Sequence, residues 1–216
     1  NYPILKPLLY LCSIKLKQFI SIFLRNRVLF INKKRIHKIQ LLNVGCGNHT
    51  NNNFINLNYH WHSKIDICWD ITRKKIPFDD NSLDGLFSEH CLDQINLEAC
   101  QEVLKEFYRV LKYKRTLRIV LPDGEMYMDL YIKRKKGQNV SLPYEEGYVT
   151  PMHRINLAFT GHGHLFLYDY ETIHLLLKKA GFKMIRKQSF GVGGDQRLLI
   201  DTDWRAIESF YVEAVK

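Results

Sequence analysis

The sequence predicts an α/β fold on a mostly parallel sheet with flanking helices, on three observations. Short β-like runs alternate with helical ones from residue 39 onward. The clearest helical pattern, over residues 97–111, lies between two such runs rather than in a helical block. A chain of 216 residues, 46% apolar and 25% charged, can bury one sizeable core but has little room for a second domain.

The elements follow in chain order. Residues 1–38 form an arm in which Leu5, Leu8, Leu9, Cys12, Leu16, Phe19, Ile20 and Phe23 recur at helical spacing. The main domain, 39–216, starts with a strand over 39–44 that ends in Gly45-Cys46-Gly47. Residues 54–58 and 65–69 read as the next strands. Residues 84–88 read as the fourth, after the turn formers Asp79-Asp80-Asn81-Ser82. Leu97, Cys100, Leu104, Phe107 and Leu111 step by three and four, with Asn96 placed as the N-cap. Residues 116–121 form a fifth strand stopped by Pro122. Residues 137–168, punctuated by Gly137, Pro143, Gly147 and Pro151, suit a lid or insertion. Asp169 caps a helix through Ala180, Gly181 stops it, and 182–189 and 210–215 are the last strands.

Charge is unevenly distributed. The chain carries +10, of which residues 1–40 hold nine Lys/Arg and no acid, so the rest is close to neutral. Three readings of the arm stand open: a helix lying on anionic lipid, an extra helix covering the sheet, or a nucleic-acid contact. The packed helix is slightly preferred, with lipid contact through its outer basic face. No uncharged stretch in the arm exceeds eight residues, with 18–24 seven long between Lys17 and Arg25, far short of the roughly 20 residues a membrane span needs. Five cysteines without CxxC spacing point to a reducing compartment. The expected location is therefore the cytoplasm, at the inner face of the membrane if the arm binds lipid.

In such sheets ligands bind where strands end at their carboxyl side. Gly45-Cys46-Gly47, Asn58, Asp70-Ile71, Ser88-Glu89-His90 and Asp123 stand there and form a polar collar. These residues carry a resemblance. Leu42-Asn43-Val44-Gly45-Cys46-Gly47-Asn48 resembles the first motif of class I S-adenosylmethionine-dependent methyltransferases, of the type 11-like kind. Ile76-Pro77-Phe78-Asp79-Asp80-Asn81-Ser82-Leu83-Asp84, the run 103–112 and Leu117–Asp123 continue the match. Residues 163–172 and 180–182 resemble a bacterial subgroup often found near surface-glycan genes.

The resemblance implies a Rossmann-like, mostly parallel seven-stranded sheet and S-adenosyl-L-methionine as cofactor. It places Gly45, Cys46, Gly47, Asn58, Asp70, Ile71 and Ser88 around that cofactor. The family usually has an acid where Asn58 stands, and a neutral partner makes the weaker hydrogen bond. The interval from Gly47 to Asn58 is too short for a full first helix. A dinucleotide fingerprint fails, since Thr50 stands where its third glycine belongs.

For chemistry, His90, Glu89 and Asp123 are the catalytic candidates, with His90 first as a base. His162, His164 and Tyr168 are candidates for the acceptor site. His60, His62, His162 and His164 lack carboxylate or Cys partners at metal-ligand spacing, so no metal is expected. The expected activity is methyl transfer to a small-molecule or glycan-type acceptor. The alternative is a non-catalytic cofactor-binding or membrane-associated scaffold. Ser-Glu-His after the fourth strand, in place of an amino-methylating N/D-P-P-Y/F motif, argues against a nucleic-acid substrate.

Overall fold

The structure is a computed structural model that describes residues 5–27, 38–144, 146–147 and 150–216, with side chains of the first helix from Lys15 onward. The strands are β1 (Leu41–Val44), β2 (Ile55–Asn58), β3 (Ile67–Cys68), β4 (Leu83–Glu89), β5 (Leu111–Pro122), β6 (Met184–Gln188) and β7 (Ser209–Val215). The helices are α1 (Leu5–Leu24), α2 (Leu97–Val110), α3 (Gly124–Lys135), α4 (Pro151–Thr160) and α5 (Tyr170–Ala180). One sheet holds all seven strands in the order β3-β2-β1-β4-β5-β7-β6. β1 pairs in parallel with both β2 and β4, whereas β7 runs antiparallel to β5 and β6. The sheet is therefore mixed, with the reversed strand near one edge. The strand order turns back between β1 and β4, which places a ligand crevice at their carboxyl ends.

Period-two alternation decides what each face buries. Leu42, Val44, Leu86, Leu117, Ile119 and Val212 point to one face. There they meet Cys100, Val103, Leu104 and Phe107 of α2 and Ile173, Leu176 and Leu177 of α5. Both helices begin as their sequences dictate: Asn96 Oδ1 accepts from Ala99 N at 2.8 Å, and Asp169 Oδ1 accepts from Thr172 N at 2.8 Å. Gly181 then ends α5 at φ 112°, a left-handed conformation that favours glycine.

Leu41, Phe87, Val120 and Tyr211 point to the other face, where Leu198 and Ile200 cover them. Those two belong to the connection 189–208 between β6 and β7, which contains only short 3-10 turns. No helix stands between β1 and β2, as the short interval predicts, and this connection covers the sheet in its place. Arg118, fully buried on β5, fastens it: Nε donates to Asp201 Oδ1 at 2.7 Å, Nη1 to Val192 O at 2.9 Å and Nη2 to Ser189 O at 3.1 Å. Asp201 also accepts from Gly191 N, and Glu213 from Gly194 N.

The C-terminal end of α1 docks beside β2 and β3. Ser21 is fully buried and its Oγ accepts from Trp61 N at 2.8 Å. Arg25 Nε donates to Tyr59 O, with the guanidinium 3.5 Å from the Tyr59 ring centre. Asn26 N donates to Cys68 O, and its Oδ1 accepts from Asp70 N at 2.8 Å. The arm is thus helical and packed at this end. The basic residues Lys33, Lys34 and Arg35 lie outside the described residues. β5 begins at Leu111 rather than near residue 116, because the polar run 112–115 hides its first half from an apolar pattern.

Candidate functional site

A cavity of about 440 Å³ opens at the carboxyl ends of β1, β2 and β3. Gly45, Asn58, Asp70 and Ile71 line it, together with Ile95 and Ala99 from the start of α2. Gly45 adopts φ 70°, and a Cβ there would lie 2.2 Å from Cys91 Sγ, so only glycine fits. Gly47 adopts φ 51°, and a Cβ there would meet nothing within 4 Å; its surroundings are open. Asn58 ties the loop to β2, since its Oδ1 accepts from Gly47 N at 3.2 Å and its Nδ2 donates to His60 O at 2.7 Å. Asp70 is buried, and its Oδ1 accepts from both Thr72 N and Thr72 Oγ1. Arg73 Nε lies 3.5 Å from the other oxygen, Oδ2.

Two further cavities adjoin the first. One, about 320 Å³, includes Gly45, Cys46, Gly47, Glu89 and Arg205. The other, about 330 Å³, includes Tyr144, His162, His164, Trp204 and Arg205. His90 and Gln94 line all three, so they stand where the spaces meet.

His90 holds an unusual backbone conformation for a non-glycine residue, φ 47°. Two bonds fix it: His90 N donates to Val120 O at 3.0 Å, and Nε2 lies 2.8 Å from Ser209 Oγ. Such conformations persist where the surroundings over-determine them, and they cluster at functional sites. Burial, then the charges of Arg205, His164 and His162, push the His90 imidazole down to about 3. It is therefore neutral at physiological pH. His164 places Nδ1 2.8 Å from Ala158 O and Nε2 3.1 Å from Asp93 Oδ2. Both ring nitrogens thus lie near oxygens, although neither buried Asp93 oxygen has an aligned hydrogen-bond partner. Burial raises the Asp93 carboxyl, with His164 opposing.

The expected residues separate into those the structure gathers and those it places elsewhere. Gly45, Cys46, Gly47, Asn58, Asp70, Ile71, Glu89, His90, His162 and His164 line the joined cavities. Ser88 is 1% exposed, because strand alternation turns it away from the wall formed by Phe87 and Glu89. Asp123 caps α3 by accepting from Met126 N at 3.0 Å. Tyr168 is 1% exposed in the core, with its hydroxyl directed at Leu92 O. Glu89 lines a cavity, but its oxygens accept from Thr202 N and Thr202 Oγ1 and so hold the 189–208 connection in place.

Sequence reading did not find Gln94, Tyr144, Trp204 or Arg205. Trp204 and Arg205 sit in a connection without regular pattern, and the adjacent aromatic–cation pair is the one signal that could have marked them. Among the described residues, no group of three or more His, Cys, Asp or Glu side chains is gathered as a metal-binding set.

Comparison with known proteins agrees with this geometry. Residues 46–119 match the family model described as a methyltransferase domain. No curated protein matches the chain. A SAM-dependent methyltransferase from Archaeoglobus fulgidus is similar in fold at TM-score 0.51 and 15% identity, over 93% of this chain and 94% of that one. A second SAM-dependent methyltransferase, from Thermotoga maritima, is similar at TM-score 0.51 and 13% identity, over 85% of this chain and 86% of that one. The family match, which spans about a third of the chain, the motifs and the strand order together support a likeness to class I S-adenosylmethionine-dependent methyltransferases. The methyltransferase-domain match over residues 46–119 supports an enzyme with S-adenosylmethionine as cofactor. The site fits that molecule: the open space at Gly47, the apolar walls at Ile71, Ile95 and Ala99, and the carboxylate of Asp70 are the chemistry an amino-acid-bearing nucleoside needs.

Proposed function

We propose that the enzyme methylates a small-molecule or glycan-type acceptor held in the cavity of Tyr144, His162, His164 and Trp204. The observation that carries this reading is that His90 and Gln94 line both this cavity and the cofactor cavity. When bound, S-adenosylmethionine supplies a methyl group on a sulfonium, already activated for attack by a lone pair. The chain's task is alignment and exclusion of water. Asp70 and Ile71 hold the adenine end, Asn58 the ribose, and the Gly45–Gly47 backbone the methionine end. His90 orients the attacking group. In the tautomer that donates from Nε2 to Ser209 Oγ, its Nδ1 accepts a hydrogen bond, and the depressed imidazole keeps that form available throughout the physiological range.

Calorimetry with S-adenosylhomocysteine tests the reading. The wild-type protein is expected to bind. Asp70→Asn, which keeps the turn to Thr72 but removes the charge, is expected to bind about tenfold more weakly, or ~1.4 kcal/mol. Absence of binding in folded wild-type protein would overturn the cofactor reading and with it the enzyme. A non-catalytic scaffold is not favoured.

α1 supports a second element of this reading: peripheral attachment of a cytoplasmic enzyme to an anionic membrane surface. Leu16, Phe19, Ile22 and Phe23 are 53–70% exposed and cover roughly a third of the helix circumference, opposite buried Ser21. Lys15 and Lys17 are exposed on the same helix, and residues 1–40 contain no acid. No helix among the described residues is long and apolar enough to cross a membrane. An apolar ridge that also carries Lys15 suits the lipid interface, where a basic residue contributes about 1 kcal/mol. Sedimentation with phosphatidylserine vesicles should show binding that weakens in salt and falls in Phe19→Ser/Phe23→Ser. No sedimentation at low salt would end this proposal.

A further inference from the structure

The acceptor cavity contains a guanidinium whose hydrogen-bonding capacity the protein leaves partly unused. Arg205 Nε is buried and has no hydrogen-bond partner. Its ion-pair partner, Glu89 Oε2, is 3.6 Å from Nη1, beyond hydrogen-bond length, and both Glu89 oxygens already accept from Thr202. The other arginine of the cavity differs. Arg154 Nε donates to Pro143 O, and its Nη2 donates to Tyr127 Oη and lies 3.3 Å from Glu208 Oε2. Arg154 is thus part of the wall, while Arg205 faces the space with donors to offer.

A buried donor without a partner is costly, and a planar guanidinium satisfies itself best on two oxygens of one acid group. Its position is fixed from both sides. Trp204 stacks beneath it at 4.8 Å, and Glu89 anchors the preceding Thr202. Trp204 and Tyr144 add flat apolar surface beside the guanidinium. We infer that the methyl acceptor carries an anionic oxyacid group, a phosphate or carboxylate, which Arg205 grips while Trp204 and Tyr144 flank the adjoining body. This inference rests on the methyl-transfer reading and names the substrate class of that site.

The full chain is titrated by calorimetry with phenyl phosphate, phenylacetate and neutral benzyl alcohol, both without cofactor and saturated with S-adenosylhomocysteine. The two anions are expected to bind at least tenfold more tightly than the alcohol, and the tighter of them assigns phosphate or carboxylate. Arg205→Met is expected to lose at least tenfold for the anions while S-adenosylhomocysteine affinity changes by less than about threefold. Arg205→Lys keeps the point charge and loses the fork, so an intermediate loss is expected; it also serves if the methionine variant unfolds. Equal affinity for anion and alcohol, or no binding of any probe, would overturn the inference. An equal loss for S-adenosylhomocysteine would assign the guanidinium to the cofactor's own carboxylate and overturn it as well. Failure of S-adenosylhomocysteine to bind at all strikes the methyl-transfer reading instead, because the cofactor-free titrations judge Arg205 independently.

Discussion

His90 joins strain, burial and chemistry in one residue. Its imidazole is neutral in the native protein down to about pH 3, whereas an unfolded chain takes up the proton near 6.5. Between those values the unfolded state binds more protons, so this group's stabilisation is complete above pH 6.5 and is lost as pH falls toward 3. Asp93 acts in the opposite sense, since its raised carboxyl keeps a proton that the unfolded chain has released. His90→Asn tolerates the left-handed backbone and leaves Asp93 in place, so comparison with wild type cancels the Asp93 contribution. Urea unfolding at pH 7.5 and pH 5 should show the variant losing about 2 kcal/mol less than wild type over that interval. Equal losses would mean that the native imidazole titrates normally. At this scale sequence reading reached the residues that stand directly after strands, such as Gly45, Asp70 and His90. It did not distinguish Ser88 from its neighbours, because which of two successive strand residues faces a cavity depends on register against β1 and β5. Asp123 shows the other limit: an acid after a strand is equally suited to a ligand and to the N-terminus of the helix that follows.

Among the elements, those with local signals were legible. α2 and α5 carry a cap, an apolar stripe and, in α5, a glycine stop within their own sequences. The connection 189–208 carries none of these, yet it covers one face of the sheet and brings Trp204 and Arg205 to the site. Its placement depends on contacts distant in sequence, chiefly Arg118 with Asp201 and Glu213. Arg118→Met would leave two buried carboxylates without their cation. It should destabilise the protein by roughly 3–5 kcal/mol in urea unfolding, because removing one partner of a buried pair leaves the other charge uncompensated. A loss below 1 kcal/mol would show that apolar packing of Leu198 and Ile200 alone holds the connection. The replacement of a first helix by this connection also explains how so short an interval between β1 and β2 is compatible with a covered sheet.

At the scale of the whole molecule, the basic arm and the cofactor cavity are one mechanical unit. Charge counting separated the arm from a near-neutral body, but it could not show where the arm rests. It rests on residues at and beside the first cavity: Arg25 on Tyr59, Asn26 on Asp70 and Ser21 on Trp61. Tyr59 and Asp70 both line the cofactor cavity, so docking of α1 and binding of the cofactor act on the same backbone. Linkage then requires reciprocity: whatever docking contributes to cofactor affinity, the cofactor returns to docking. Asn26→Ala removes the acceptor for Asp70 N, a part-buried bond of about 1 kcal/mol. Affinity for S-adenosylhomocysteine should fall by up to about fivefold, and thermal stability by about 2–4 °C, since the bond exists without cofactor and Asn26 adopts φ 58°. In wild-type protein, S-adenosylhomocysteine should slow amide exchange at Asn26 and Trp61, which lie outside the cofactor cavity but on the docking contact. Unaltered exchange at both amides, together with full affinity in Asn26→Ala, would show that the arm and the cavity are independent, and that any membrane attachment through α1 leaves cofactor binding untouched.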